Sequence, residues 1–285
     1  MTSGLSYPPS YPKGQVRKLH PFKGARALYL YLPPQFSYHQ AYPVIYMHDG
    51  QNCFEAFVQD SFSGSWRADE VADRLIHEKL MQPAIIVAIS NGQQERLAEY
   101  LPPYVNFRLP APRDGIDMPA IQGKADELFE FYLKVEAFLQ TYYPVLKGRE
   151  HRATCGSSMG GLFSTYLAWE QPDFAKHHAA LSPSYWVTND GTGHLLTLER
   201  IKNLPKRDIR LWLDSGEGTS NIPGKDDDNK FVTMEAREAL LAAGYVEGVD
   251  FYYHLEKGAR HSEAAWAKRL DRVFNFLLFS NSHKS

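Results

Sequence analysis

Cysteine is scarce: Cys53 and Cys155 are the only two in 285 residues. Two thiols cannot build a disulfide framework or, by themselves, a zinc centre. They read as free buried groups that flank the same region, and the default setting is a reducing cytoplasm. Excess charge is lacking too. A formal net charge of −2 offers no electrostatic basis for binding nucleic acid or an anionic membrane. No apolar run approaches the ~20 residues of a membrane-spanning helix. Residues 1–15 are rich in Pro and Tyr, with no basic segment leading into an apolar core, so they do not read as a signal peptide. There is no internal repeat and no interdomain linker. Residues 1–14 are expected to form an irregular arm and 15–285 a single domain. No feature specifies an oligomeric state.

What the sequence does contain is an alternation of apolar runs and helical periods. Residues 16–18 and 25–32 read as strands, the second stopped by Pro33-Pro34. Residues 43–47 and 84–90 are continuous apolar runs of the kind buried on both faces of a sheet. Further strands are expected at 179–181, 209–213 and 250–255. Helical spacing marks 65–80, 125–143, 159–170, 231–243 and 262–279. Between them, the stretch 100–123 carries five prolines and no clear period, which suits a long functional loop. This pattern predicts an α/β fold: a mostly parallel central sheet, helices on both faces, and an antiparallel N-terminal edge. In such sheets ligands bind beyond the carboxyl ends of the strands. His48-Asp49-Gly50, Ser158, Ser182, the 214–228 loop and His261 each follow a strand and are expected at one rim.

One of those strand ends carries Gly156-Ser157-Ser158-Met159-Gly160. G-x-S-x-G between an apolar run and a helix is the pattern of a nucleophile elbow, in which flanking glycines make room for a sharp turn. Ser158 has glycine two positions away on both sides; Ser157 does not. A serine hydroxyl needs a base within hydrogen-bond reach and a group that orients the base. His261, after the last strand, stands in the order Ser, acid, His. His48 reads as support for the neighbouring loop, and His177 and His178 as structural. Candidate acids are Asp214, directly after a strand, Glu217, and the cluster Asp226, Asp227 and Asp228. Three adjacent Asp lack the alternating spacing of a calcium loop, and no metal or other cofactor is implied. The N–H of Met159 opens the helix after the serine and supplies one oxyanion donor; the other is expected near Gly50–Gln51.

These pieces together resemble the putative-esterase family of α/β-hydrolases. That family includes enterobactin-type siderophore esterases, feruloyl and acetyl-xylan esterases, S-formylglutathione hydrolases and mycolyltransferases. The resemblance is carried, in the family's order, by Tyr42-Pro-Val-Ile-Tyr-Met-His-Asp-Gly-Gln-Asn52, Ile85-Ile-Val-Ala-Ile-Ser-Asn91 with Arg96 and Glu99, the elbow through Gly161, Leu181-Ser-Pro183 with Trp186, Leu213-Asp-Ser-Gly216, and His261-Ser-Glu-Ala-Ala-Trp266. It implies the α/β-hydrolase fold, Ser158 as nucleophile and His261 as base. It places the acid after Gly216, at Asp227 or Asp228, beyond an inserted stretch 217–225. Arg96 and Glu99 are expected to pair beside the site. The function expected is a serine esterase acting on small-molecule carboxylic esters, with Met159 and Gln51 holding the oxyanion. Tyr185, Trp186, Phe107 and Arg108 are expected to contact substrate. An acyltransferase of the same fold, or a siderophore-trilactone or feruloyl esterase, is the alternative; a non-catalytic binding module is opposed by the intact Ser158 and His261.

Overall fold

The computed structural model describes residues 11–22, 26–108 and 119–278. Its centre is an eight-stranded sheet. The strands in it are β1 (Gln15–Leu19), β2 (Leu28–Leu32), β3 (Val44–Met47), β4 (Ile85–Ile89), β7 (Arg152–Ser157), β8 (His177–Leu181), β9 (Arg210–Gly216) and β10 (Phe251–Glu256), while β5 (Asn106–Phe107) and β6 (Ile121–Gln122) form a small separate antiparallel pair. The order across the large sheet is β1-β2-β4-β3-β7-β8-β9-β10. Pairings β1–β2 and β2–β4 are antiparallel and the remaining five are parallel. The expected parallel sheet with an antiparallel N-terminal edge is what the chain forms.

Among the described residues, eight α-helices accompany the sheet: α1 (Ala68–His77), α2 (Arg96–Tyr100), α3 (Ala125–Tyr142), α4 (Met159–Glu170), α5 (Leu196–Asn203), α6 (Lys230–Ala242), α7 (Glu263–Ala267) and α8 (Leu270–Leu277). Successive strand side chains point to opposite faces, so each strand feeds two cores. Val44 and Tyr46 join one with Leu128, Tyr132, Leu162, Phe163, Leu198 and Leu240 from α3 to α6. Ile45 and Met47 join the other with Ala72, Leu75, Val273 and Phe274 from α1 and α8. Central strands buried on both sides need apolar residues at every position, which is why 85–89 reads as an unbroken run. Helix α4 runs through the interior, and all of Met159–Trp169 is buried.

Three differences from the sequence reading bear on the site. The expected final helix 262–279 is two helices, broken at Lys268–Arg269; its last residue, Phe279, lies outside the described residues. The break lets Arg269, fully buried, turn its guanidinium toward Asp214 and Ser182. The Pro-rich stretch 100–123 is not wholly irregular: β5 pairs with β6, Phe107 opposite Ile121, while 109–118 lie outside the described residues. Helices α2 and α5 carry no distinct period in the sequence, being too short to show one. Of the expected arm at 1–14, residues 1–10 lie outside the described residues, as does Ala25 at the start of the expected second strand.

Candidate active site

Strands β3, β4, β7, β8, β9 and β10 all point the same way, so the residues that follow them collect at one rim. Ser158, directly after β7, adopts φ 55° and ψ −118°. For a residue with a Cβ this is a strained conformation costing on the order of 1–3 kcal/mol, held only where its surroundings over-determine it. They do so here. Ser158 N–H donates to the Leu181 carbonyl at 2.9 Å, its own carbonyl accepts from Ser184 N–H at 3.0 Å, and Leu162 N–H closes the first helical turn onto it at 3.1 Å. The turn is tight enough that a Cβ at Gly156 would stand 2.5 Å from His48 Cδ2 and 2.8 Å from the Gly160 carbonyl carbon. That close approach is the physical requirement behind the glycines of the motif.

From Ser158 a continuous hydrogen-bonded line leads inward. Ser158 Oγ lies 2.9 Å from His261 Nε2, and His261 Nδ1 lies 2.7 Å from Asp228 Oδ1. Asp228 is fully buried at its side chain, whereas His261 remains 39% exposed, so one end of the line is fixed and the other is open to solvent. The imidazole packs edge-on against Trp266, centroids 4.8 Å apart. The second oxygen of Asp228 accepts from Ser182 Oγ at 2.9 Å and from Gly216 N–H. Both carboxylate oxygens therefore have partners, as a buried charge requires.

Asp227 does something else. Its carboxylate accepts from Gly224 N–H at 3.1 Å and Asn229 N–H at 3.3 Å, folding its own loop. Of the two acids expected at this position, only Asp228 reaches His261. The inserted stretch 217–225 doubles back on itself, with Thr219 N–H donating to the Asp226 carbonyl at 2.8 Å, which returns the chain to the end of β9. Asn229 Nδ2 then pins the loop to the Ser182 carbonyl at 2.8 Å. Asp226, Asp228 and Asn229 all take positive φ, near 49–60°, a region that Asp and Asn tolerate better than other side chains.

Asp214 sits behind this line. Arg269 Nη2 and Nε donate to its carboxylate at 3.0 and 3.2 Å, and Trp212 Nε1 at 2.8 Å. Burial pushes the Asp214 carboxyl above the ordinary range against the pull of Arg269. Arg269 also donates to Ser182 Oγ at 3.1 Å, as does Trp266 Nε1 at 2.9 Å. Thus Ser182 has its proton directed to Asp228 by two donors on its other side. Sequence reasoning passed over Arg269. The signal was present: Arg269 interrupts the apolar stripe Trp266, Leu270, Val273 at a core-facing position.

The loop after β3 is held just as firmly. Asp49, at φ 53°, accepts from Arg96 Nε and Nη2 at 2.7 and 2.8 Å and from Asn91 Nδ2 at 2.5 Å, and its N–H donates to Tyr100 OH at 3.0 Å. Burial raises its pKa, but the Arg96 guanidinium outweighs that and holds the carboxyl below its usual range. The expected Arg96–Glu99 pair is replaced: Arg96 takes Asp49, and Glu99 takes Arg26. These bonds fix the turn Gly50–Asn52, which carries Gln51. His48 supports the same corner from beneath, Nδ1 2.6 Å from Tyr132 OH and Nε2 2.9 Å from Ser164 Oγ; burial drives its pKa down to about 3, so it stays neutral. Cys53 and Cys155 are free, buried thiols, pushed up by burial.

Around the rim, Trp186 is about half exposed and meets Phe107 edge-on at 5.7 Å. Arg108 is exposed beside Phe107. Tyr185 does not join them, which corrects its expected role: it is fully buried, and its hydroxyl lies 2.7 Å from Thr165 Oγ1 on α4. The chain turns inward at Tyr185 and outward at Trp186. On the other side a cleft of about 1250 Å³ opens beside Gln51, lined also by Asn91, Arg96, Phe62, Lys124 and Phe131. Phe62 is wholly exposed. Its neighbours are tied down, Ser61 Oγ donating to Asn52 Oδ1 and Ser63 Oγ to Glu263 Oε1, each at 2.7 Å.

A sheet of this order with a strained serine between strand and helix defines an α/β-hydrolase. Within that class, the chain belongs to the putative esterase family, whose model matches residues 20–277, and it is a carboxylic ester hydrolase. It is similar to the uncharacterized protein YbbA of Bacillus subtilis, 22% identical over 260 residues that cover 90% of this chain and 94% of that protein. Among solved structures it is similar to the BES protein of Bacillus cereus, with TM-score 0.67, 19% identity, and 98% and 100% of the two chains covered. It is also similar to the feruloyl esterase module of Clostridium thermocellum solved with sinapinate, with TM-score 0.65, 19% identity, and 96% and 91% covered. Among the described residues, no helix is long and apolar enough to cross a membrane.

Proposed function

We propose that the chain is a serine esterase in which Ser158 is the nucleophile, His261 the base and Asp228 the orienting acid. The reading rests chiefly on one observation: the line Ser158–His261–Asp228 is continuous at 2.9 and 2.7 Å and starts from a serine held at φ 55°. Asp228 accepts a hydrogen bond from His261 Nδ1–H, which keeps the proton on Nδ1 and leaves Nε2 free to take the proton of Ser158. Ser158 Oγ attacks the ester carbonyl, the alcohol leaves with a proton from His261, and an acyl-enzyme remains. Water, deprotonated by His261, then releases the acid. The oxyanion is held by Met159 N–H, which in the first turn of α4 has no intrahelical acceptor, and by Gln51 N–H on the turn that Asp49 anchors.

The substrate is a small-molecule ester, with Trp186 and Phe107 on one wall and the cleft beside Gln51 on the other. The test is hydrolysis of short p-nitrophenyl esters. Ser158→Ala is expected to lose at least about a thousand-fold in kcat, and Asp228→Asn on the order of a thousand-fold, because the amide presents the wrong partner to Nδ1. Turnover retained by Ser158→Ala would refute the assignment. Trp186→Ala is expected to raise KM several-fold for aryl-acyl esters and little for acetate; equal KM changes for both would exclude that wall from recognition.

A further inference from the structure

A second serine touches the nucleophile. Ser184 Oγ lies 3.0 Å from Ser158 Oγ, and Ser184 is buried. Its backbone is bound to the same residue, Ser184 N–H donating to the Ser158 carbonyl at 3.0 Å. Among the described residues its hydroxyl has no other hydrogen-bond partner. Proton counting fixes the direction of this bond. Ser158 has one hydroxyl proton, and with His261 Nε2 at 2.9 Å that proton goes to the imidazole. Ser184 must therefore be the donor to Ser158 Oγ.

We propose that Ser184 is a further catalytic residue, whose hydroxyl makes Ser158 Oγ a better leaving group when the acyl-enzyme breaks down. The inference rests on the serine-esterase reading above. In the resting enzyme the bond stabilises a lone pair that must attack, so it does little to help acylation. In the acyl-enzyme, Oγ is an ester oxygen. Water adds to the acyl carbon and gives its proton to His261; the C–Oγ bond then breaks, the electron pair goes to Oγ, and His261 returns a proton to it. Negative charge grows on Oγ as that bond stretches, and a donor at 3.0 Å, already oriented, stabilises it. The Ser184 proton stays on Ser184 throughout.

Steady-state and stopped-flow kinetics with p-nitrophenyl acetate test this, because kcat reports deacylation and kcat/KM acylation for so activated an ester. Ser184→Ala is expected to lower kcat about tenfold, as one well-placed hydrogen bond should, while kcat/KM changes by less than about twofold. Acetyl-enzyme should accumulate in the intact mass of quenched samples. Ser184→Thr, which keeps a hydroxyl, should recover most of kcat. An unchanged kcat in Ser184→Ala would overturn the proposal, and so would kcat and kcat/KM falling by one common factor in both variants, the signature of a packing role. Turnover retained by Ser158→Ala is a separate result; it would overturn the parent reading and this one with it.

Discussion

Asp227 and Asp228 are neighbours with the same side chain and different surroundings. Asp228, at φ 49°, is turned back toward the end of β9, where Ser182, Gly216 and His261 meet its two oxygens; Asp227 faces its own loop. Asp227→Asn is therefore expected to keep kcat within about threefold of wild type, and a loss matching that of Asp228→Asn would contradict the division of labour drawn here. Arg269 is a second residue whose role comes from burial. Its ion pair with Asp214 is wholly removed from water. Removing one partner of such a pair strands the other charge, so Arg269→Met should cost about 3–5 kcal/mol of stability in urea unfolding. The double variant Arg269→Met with Asp214→Leu should recover much of that loss, as apolar replacements of buried pairs often do. A double variant no more stable than the single would mean that the pair is not the source of the loss.

At the scale of elements, the elbow between β7 and α4 works because two pieces of backbone pack against one imidazole. Gly156→Ala would bring a Cβ to 2.5 Å from His48 Cδ2, and the turn would have to shift. An overpacked site of this kind costs about 1–3 kcal/mol, and, on the function proposed above, a displacement approaching 1 Å at Ser158 Oγ costs about a hundred-fold in rate. Both should be seen in the same protein, by thermal melting and by ester turnover; wild-type activity in Gly156→Ala would show the turn to be looser than its geometry. The break between α7 and α8 is the other element that matters. A single helix across Lys268–Arg269 would satisfy the apolar period, but Asp214 and Ser182 draw the Arg269 guanidinium inward, and the turn beneath Trp266 and His261 follows. Long elements were legible from sequence because burial on both faces leaves an unbroken apolar run, as in β4. Helices α2 and α5 were not, since two turns hold too few repeats to establish a period.

For the molecule as a whole, the buried histidines set the acid limit. Burial drives the pKa of both His48 and His178 down to about 3, so the folded state holds each neutral while the unfolded chain protonates them below about pH 6.5. The unfolded state then binds more protons, and stability falls as pH falls, by up to about 1.4 kcal/mol per pH unit for each group. Asp69 works the other way: burial raises it to about 6, so its unfavourable ionisation is relieved as pH drops through that value. His177 is lowered in the same way as His48 and His178, to about 4, so between pH 7.5 and 5.5 the net expectation is a loss of about 3 kcal/mol in urea unfolding. Stability that is equal or greater at pH 5.5 would mean that these histidines are not held neutral in the fold.

The sequence by itself determined the sheet's composition, the rim at which strand ends gather, and the order serine, acid, histidine. Those follow from local rules: period, apolar run length and the glycines a sharp turn needs. Only the tertiary structure decided that Asp228 and not Asp227 meets His261, that Tyr185 faces the core while Trp186 faces the rim, that Arg96 belongs to Asp49, and that Ser184 lies against Ser158. Each of these depends on where a side chain arrives after the chain has closed on itself. Contacts such as Asp228 with His261, or Arg269 with Asp214, are made across long sequence separations by buried polar groups that must find partners, and no local pattern records which partner each will meet.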